Sequence, residues 1–130
     1  MRTVEDLEHY LIRLGMPYEE IGAGTWVIHD EFDQIDNIVV KWAPPMVVFR
    51  VKLMDVDGGK NNPELFRKLL ELNASDMVAG AFGIEGNSVV VTDTLQADNL
   101  DYNEFEASVD ALTLAITSHY KDLAQFRGAN

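Results

Sequence analysis

The chain has 130 residues, 47% of them hydrophobic, no cysteine and a net charge of −12. This length and apolar content fit one folded domain, and the missing cysteine excludes disulfides, thiolate catalysis and Cys-containing zinc sites. Acids outnumber bases 22 to 10, a field that repels nucleic acid and anionic lipid, so neither is an expected partner.

The opening MRTVEDLEHY is acidic and amphipathic, unlike a secretion signal, and no run of ~18 apolar residues follows anywhere. The expected location is the reducing cytoplasm. Thr3 reads as an N-cap with Asp6 three residues on. Val4, Leu7, Leu11 and Leu14 recur at helical spacing, Gly15 stands where a helix closes, and Pro17 prevents continuation. Gly22-Ala23-Gly24 opens the first expected strand, Thr25–Asp30. An acidic loop over Glu31–Asp36 leads to strands at Asn37–Ala43 and Met46–Asp55. Pro44-Pro45 cannot donate to a ladder and must turn between them.

That turn fixes a register. It pairs Trp42 with Val47, Val40 with Phe49 and Ile38 with Val51, all apolar, and a slip of one residue would mix the two faces. The core face is then Trp42, Val40, Ile38, Val47, Phe49, Val51 and Leu53. The opposite face carries Val27, Val39, Lys41, Val48, Arg50, Lys52 and Met54. Three of the ten basic residues gather there. Such a face fits a docked peptide of mixed apolar and acidic character. Ordinary amphipathic strands, or basic charge that discourages aggregation, account for the same pattern.

Asp57–Asn62 reads as a loop, and Asn62 with Pro63 opens a second helix over Pro63–Asn73. Two apolar runs then flank Gly86-Asn87, a hairpin signature that pairs Ile84 with Val89 and Phe82 with Val91. The other face of that hairpin is nearly bare at Ala81 and Gly83, which invites close approach by something else. Asp101 and Glu104 form another capping box. Behind it Phe105, Val109, Leu112, Ile116, Tyr120 and Leu123 make the stripe of the longest helix. The elements run α-β-β-β-α-β-β-α: an α+β domain over residues 1–126, with a five-stranded antiparallel sheet, helices mainly on one face, and a polar tail at 127–130.

Chemistry is sparse. His9, His29 and His119 lack any paired-ligand spacing. Asp55, Asp57 and Gly58 resemble the start of a calcium loop, but Lys60 and Phe66 fall where its glycine and glutamate belong. No glycine-rich phosphate loop and no nucleophile elbow occurs. Asn73-Ala74-Ser75 has the pattern of a glycosylation acceptor, which carries meaning only in a secreted chain. No catalytic residue, metal ligand or cofactor site is expected.

From Leu72-Asn73 through GAFGI, Gly86-Asn87, SVVVTDTL, NLD and EFEASVDAL, the chain resembles the YbjN-domain family of bacterial sensory transduction regulators. Their fold is similar to that of type III secretion chaperones. The likeness is densest over Leu72–Tyr120, and its motifs are turn, cap and core residues. It implies a small acidic homodimer that holds an extended client segment against apolar patches without ATP. It also implies a dimer contact through the second helix and fourth strand, here Pro63–Asn73 and Met77–Glu85. The contact residues would be Leu65, Leu69, Met77, Ala79, Ala81, Gly83 and Val90. The resulting expectation is a non-enzymatic protein-binding domain, chaperone-like or a regulatory adaptor, with a protein or peptide client and no membrane partner. One alternative is a signalling regulator that binds one defined partner. Another is a small-ligand binder or enzyme, which requires a polar pocket with convergent carboxylates or histidines.

Overall fold

The structure is a computed structural model that describes residues 3–56, 62–77 and 79–126. The tail at 127–130 and, apart from Asn62, the loop expected over Asp57–Asn62 lie outside the described residues.

Helix α1, Val4–Leu14, begins as its capping residues dictate. The Asp6 carboxylate accepts the Thr3 N–H at 2.7 Å, and Gly15, at φ +79°, closes the helix. Six strands follow in two groups: β1 Tyr18–Gly22, β2 Thr25–Asp30, β3 Ile35–Ala43 and β4 Met46–Asp55, then β5 Ala81–Glu85 and β6 Ser88–Gln96. Helix α2, Pro63–Ser75, lies between the groups, and α3, Tyr102–Ala124, ends the fold. The sheet order is β1-β2-β3-β4-β6-β5, with every neighbour antiparallel.

The α+β class holds, with one strand more than the sequence suggests. That strand is β1, YEEIG. It lacks apolar alternation, and only Tyr18 is even half-buried, so periodicity cannot reveal it. Its ladder with β2 holds it: Tyr18 lies opposite Ile28, Glu19 opposite Val27 and Glu20 opposite Trp26.

The register across the Pro44-Pro45 turn is the expected one, with Ile38 opposite Val51, Val40 opposite Phe49 and Trp42 opposite Val47. Burial of one complete face enforces it. Ile38, Val40, Val47, Phe49 and Val51 are wholly buried, and Trp26 and Ile28 continue that face onto β2. The hairpin also pairs as expected, Ile84 with Val89 and Phe82 with Val91, around Gly86 at φ +59°. All three helices feed the same core: Leu7 and Leu11 from α1, Leu65, Leu69 and Leu72 from α2, and Phe105, Val109, Leu112 and Leu123 from α3. Among the described residues, no helix side chain of that core lies on the other sheet face.

One side chain departs from the expected face. The ladder between β4 and β6 shifts register between Lys52 and Met54. Leu53 becomes the extra residue of a bulge, and Met54 turns inward opposite Val89, buried in the core. Met54 therefore leaves the outer set in which strict alternation places it.

Three polar contacts pin the helices. The Tyr10 hydroxyl donates to the Leu100 carbonyl at 2.7 Å, and Arg13 lies 4.2 Å above the Tyr102 ring, so α1 is tied to α3. Asp93 faces the helices from β6 and accepts the buried Ser108 hydroxyl at 2.6 Å.

Candidate protein-binding surfaces

The sheet face turned away from the helices holds the first set of candidate binding residues. Register places them in rows. Lys41 lies opposite Val48, and Val39 lies opposite Arg50. Two cations and two valines thus alternate as a checkerboard across β3 and β4, with Val27 beside Val39. Val27, Val39 and Val48 are half-buried, and Lys41 is exposed. Only Met54 is missing from the expected set, for the reason given above.

The cations on this face differ in their pairing. Lys52 Nζ lies 2.9 Å from Asp55 Oδ1, which also accepts the Ser88 hydroxyl at 2.9 Å. Hydrogen bonds from Lys52 and then Ser88 hold the Asp55 carboxyl below its usual range. Arg50 reaches the Glu85 carboxylate with two donors, Nε at 2.7 Å and one Nη. Lys41 has no ion pair among the described residues.

The two sheet edges are unlike. On β5, the Phe82 N–H donates to Asn73 Oδ1 at 2.7 Å, and the Phe82 carbonyl accepts from Asn73 Nδ2 at 3.1 Å. One side-chain amide from α2 therefore stands in for a neighbouring strand. On β1, Glu19, Glu20 and Ile21 are exposed. Nothing near Asn73 in the sequence signals that role, because its partner is nine residues away in another element.

The expected dimer residues divide sharply. Leu65 is wholly buried and Leu69 is 4% exposed within the chain's own core, so neither can meet a second copy. That corrects the contact set: a helix apolar over a wide arc buries one part of it in its own chain. The outward part of α2 is instead Phe66, Leu70 and Ala74, which with Pro63, Arg67 and Glu71 line a shallow depression of about 490 Å³. Leu70 is 69% exposed. Met77, Ala79, Ala81 and Gly83 are half-buried at or beside β5. Val90 is buried in the monomer at 2% exposure, although it belongs to the outer face.

The remaining grooves are open and chemically mixed. One of about 560 Å³ lies between the start of β3 with the turn before it, β4 and α3, lined among others by Asp36, Asn37, Lys52, Tyr120 and Lys121. At its edge, loss of solvent and the adjacent Asp30 raise the Asp33 carboxyl. A second, of about 350 Å³, runs beside α3 past Met77, Ala111 and Leu114 to His119. There His119 Nε2 is 4.0 Å from Asp76 Oδ2, and its ring stands edge-on to Phe82. Among the described residues, no group of three or more His, Asp or Glu can hold a metal ion. No helix among them is long and apolar enough to cross a membrane.

A six-stranded antiparallel sheet backed by three helices, with its other face open, defines a class of small α+β domain. The chain matches the CesT_Tir_1 family model over residues 1–128 and belongs to that family, a type III secretion chaperone family. Solved structures share the fold. A chain of the ExsC–ExsE complex superposes with a TM-score of 0.69 at 16% identity, covering 95% of this chain and 97% of that one. YbjN from E. coli superposes at 0.66 and 16% identity, covering 94% and 96%. A chain of the heterodimeric ExoU–SpcU complex, from the type III secretion system of Pseudomonas aeruginosa, superposes at 0.66 and 13% identity, covering 86% and 93%. No curated protein sequence matches the chain.

Proposed function

We propose that this chain is a non-enzymatic protein-binding domain of the cytoplasm, chaperone-like or a regulatory adaptor, that works as a homodimer. The observation that carries the reading is the helix-free sheet face, where Val27, Val39 and Val48 alternate with Lys41 and Arg50. Family membership and the fold shared with chains from chaperone–effector complexes support it. A client in extended form would lay apolar side chains on the valines and acidic ones on the cations. Apolar burial yields about 25 cal/mol per Å², less the cost of ordering the client, so micromolar affinity is expected on so modest a patch.

The dimer contact falls to the outward stripe of α2, Phe66, Leu70 and Ala74, with Met77, Ala79, Ala81 and Gly83 next to it. Because Asn73 occupies the backbone of Phe82, the two copies would meet through side chains at that point and not as one continuous sheet.

A regulator with one defined partner is the second reading, favoured by the likeness to YbjN. Affinity capture from the cells that make the protein separates the two. A chaperone-like role returns several proteins, each bound through a disordered segment, and a regulator returns one folded partner. Capture of no polypeptide above a control resin removes both readings.

A further inference from the structure

Val90 presents an anomaly. It sits on the helix-free face and stands outside the core cluster, yet only 2% of it is exposed. Its neighbour on β5 is Gly83, which has no side chain to cover it. The candidate for its cover lies on β4. Three rows cross β4, β6 and β5 here: Arg50–Thr92–Ala81, Lys52–Val90–Gly83 and Asp55–Ser88–Glu85. Arg50 in the first row binds Glu85 in the third. The straight path between them passes over Val90 in the middle row. A Cβ at Gly83 would meet only Val90 Cγ2, at 3.8 Å, so the β5 backbone neither covers Val90 nor crowds the pair.

This pair is exposed, with 37% of the Arg50 and 52% of the Glu85 side chain open to solvent. An exposed ion pair is a weak clamp and is easily exchanged for another carboxylate. Arg50 is also the corner of the checkerboard with Val39, Lys41 and Val48. An extended segment repeats its side chains every second residue on one side. A segment alternating acidic and aliphatic residues on that side matches the checkerboard in charge and in apolarity.

We propose that Glu85 is an internal latch on this face: it holds Arg50 over Val90 until an acidic, extended partner segment takes Arg50 and uncovers Val90. This rests on the outer face being the partner site. The rest of the molecule is strongly acidic, so attraction to such a segment acts only at contact range and weakens with salt.

The probe is a dye-labelled synthetic peptide with glutamate and valine alternating on one side, and a twin with glutamine for glutamate. Fluorescence anisotropy is measured with the wild type, Glu85→Gln, Arg50→Gln and Glu8→Gln. The last changes net charge equally, on the exposed side of α1. Glu85→Gln should bind the glutamate peptide roughly two- to fivefold more tightly than the wild type and Glu8→Gln, the range an exposed ion pair spans. Arg50→Gln should bind it more weakly, and the glutamine twin should not respond to Glu85→Gln. If Glu85→Gln binds no better than Glu8→Gln while Arg50→Gln still weakens binding, the latch is overturned and the face survives as the site. If no form binds the peptide, the face and the latch fall together. Should Arg50→Gln not fold, the comparison of Glu85→Gln with Glu8→Gln decides alone.

Discussion

Replacing Asn73 with alanine tests the closure of the β5 edge. The substitution removes both hydrogen bonds to Phe82, 2.7 and 3.1 Å long, at a part-buried position. Each such bond contributes a net ~0.5–1.5 kcal/mol, so the loss amounts to about 1–3 kcal/mol. Alanine is the better helix former and returns about 0.6 kcal/mol in α2. The net destabilisation is therefore about 0.5–2.5 kcal/mol, and each kcal/mol moves the melting temperature by about 3–5 °C in a chain of this size. Urea unfolding at fixed protein concentration gives the number, since any dimerisation makes stability depend on concentration. Amide hydrogen exchange gives the location: the Phe82 N–H should lose protection first. Asn73→Asp keeps an acceptor for that N–H but sets a carboxylate against the Phe82 carbonyl, and should be no more stable than the alanine variant. An alanine variant as stable as the wild type, with Phe82 exchange unchanged, refutes the closure.

Leu70→Asp should halve the mass seen by light scattering at tens of micromolar, from twice 14.6 kDa to 14.6 kDa, and leave the fold intact. Leu65→Ala should instead cost about 2–5 kcal/mol of stability, as a cavity in the monomer core. Asp110 has a carboxyl raised first by burial, then by Glu106 and Asp30. Its folded state therefore holds the proton more tightly than the unfolded chain, and stability falls as pH rises from the ordinary value of 3.8 through the raised one. Asp110→Asn should accordingly raise the melting temperature at neutral pH, with the gain vanishing once the medium is more acidic than that ordinary value. Gly80→Ala should be strongly destabilising by thermal melt, because φ is +76° and its Cβ would lie 2.6 Å from the Thr92 carbonyl oxygen. Gly83→Ala should be tolerated.

Most of the sheet is legible from local chemistry. Paired prolines place one turn and Gly86-Asn87 another, and each fixes a register that burial then makes unique. The caps at Thr3, Asn62 and Asp101 mark their helices for the same reason: the signal lies within four residues of its effect. What escapes is whatever depends on distant neighbours. β1 is a strand because β2 offers it a ladder, although YEEIG has no strand pattern. Met54 turns inward because a bulge at Leu53 breaks alternation, and no residue type there announces a bulge. Leu65 and Leu70 look alike in a helical stripe, and only packing decides which meets the core. Asn73 and Phe82, or Arg50 and Glu85, become partners only when the chain has folded. The outer-face cations, in contrast, fall on one side by simple alternation and were readable as a group.

The most direct test is to capture the protein with its bound polypeptide and join them with a zero-length carbodiimide, which links lysine amines to carboxylates in contact. Lys41 and Lys52 mark the sheet face, while Lys68 and Lys121 mark α2 and α3. Cross-links to acidic residues of the partner should concentrate on Lys41, the cation of the sheet face without an ion pair among the described residues, with Lys52 second. Cross-links confined to Lys68 and Lys121 would contradict partner binding on the helix-free face.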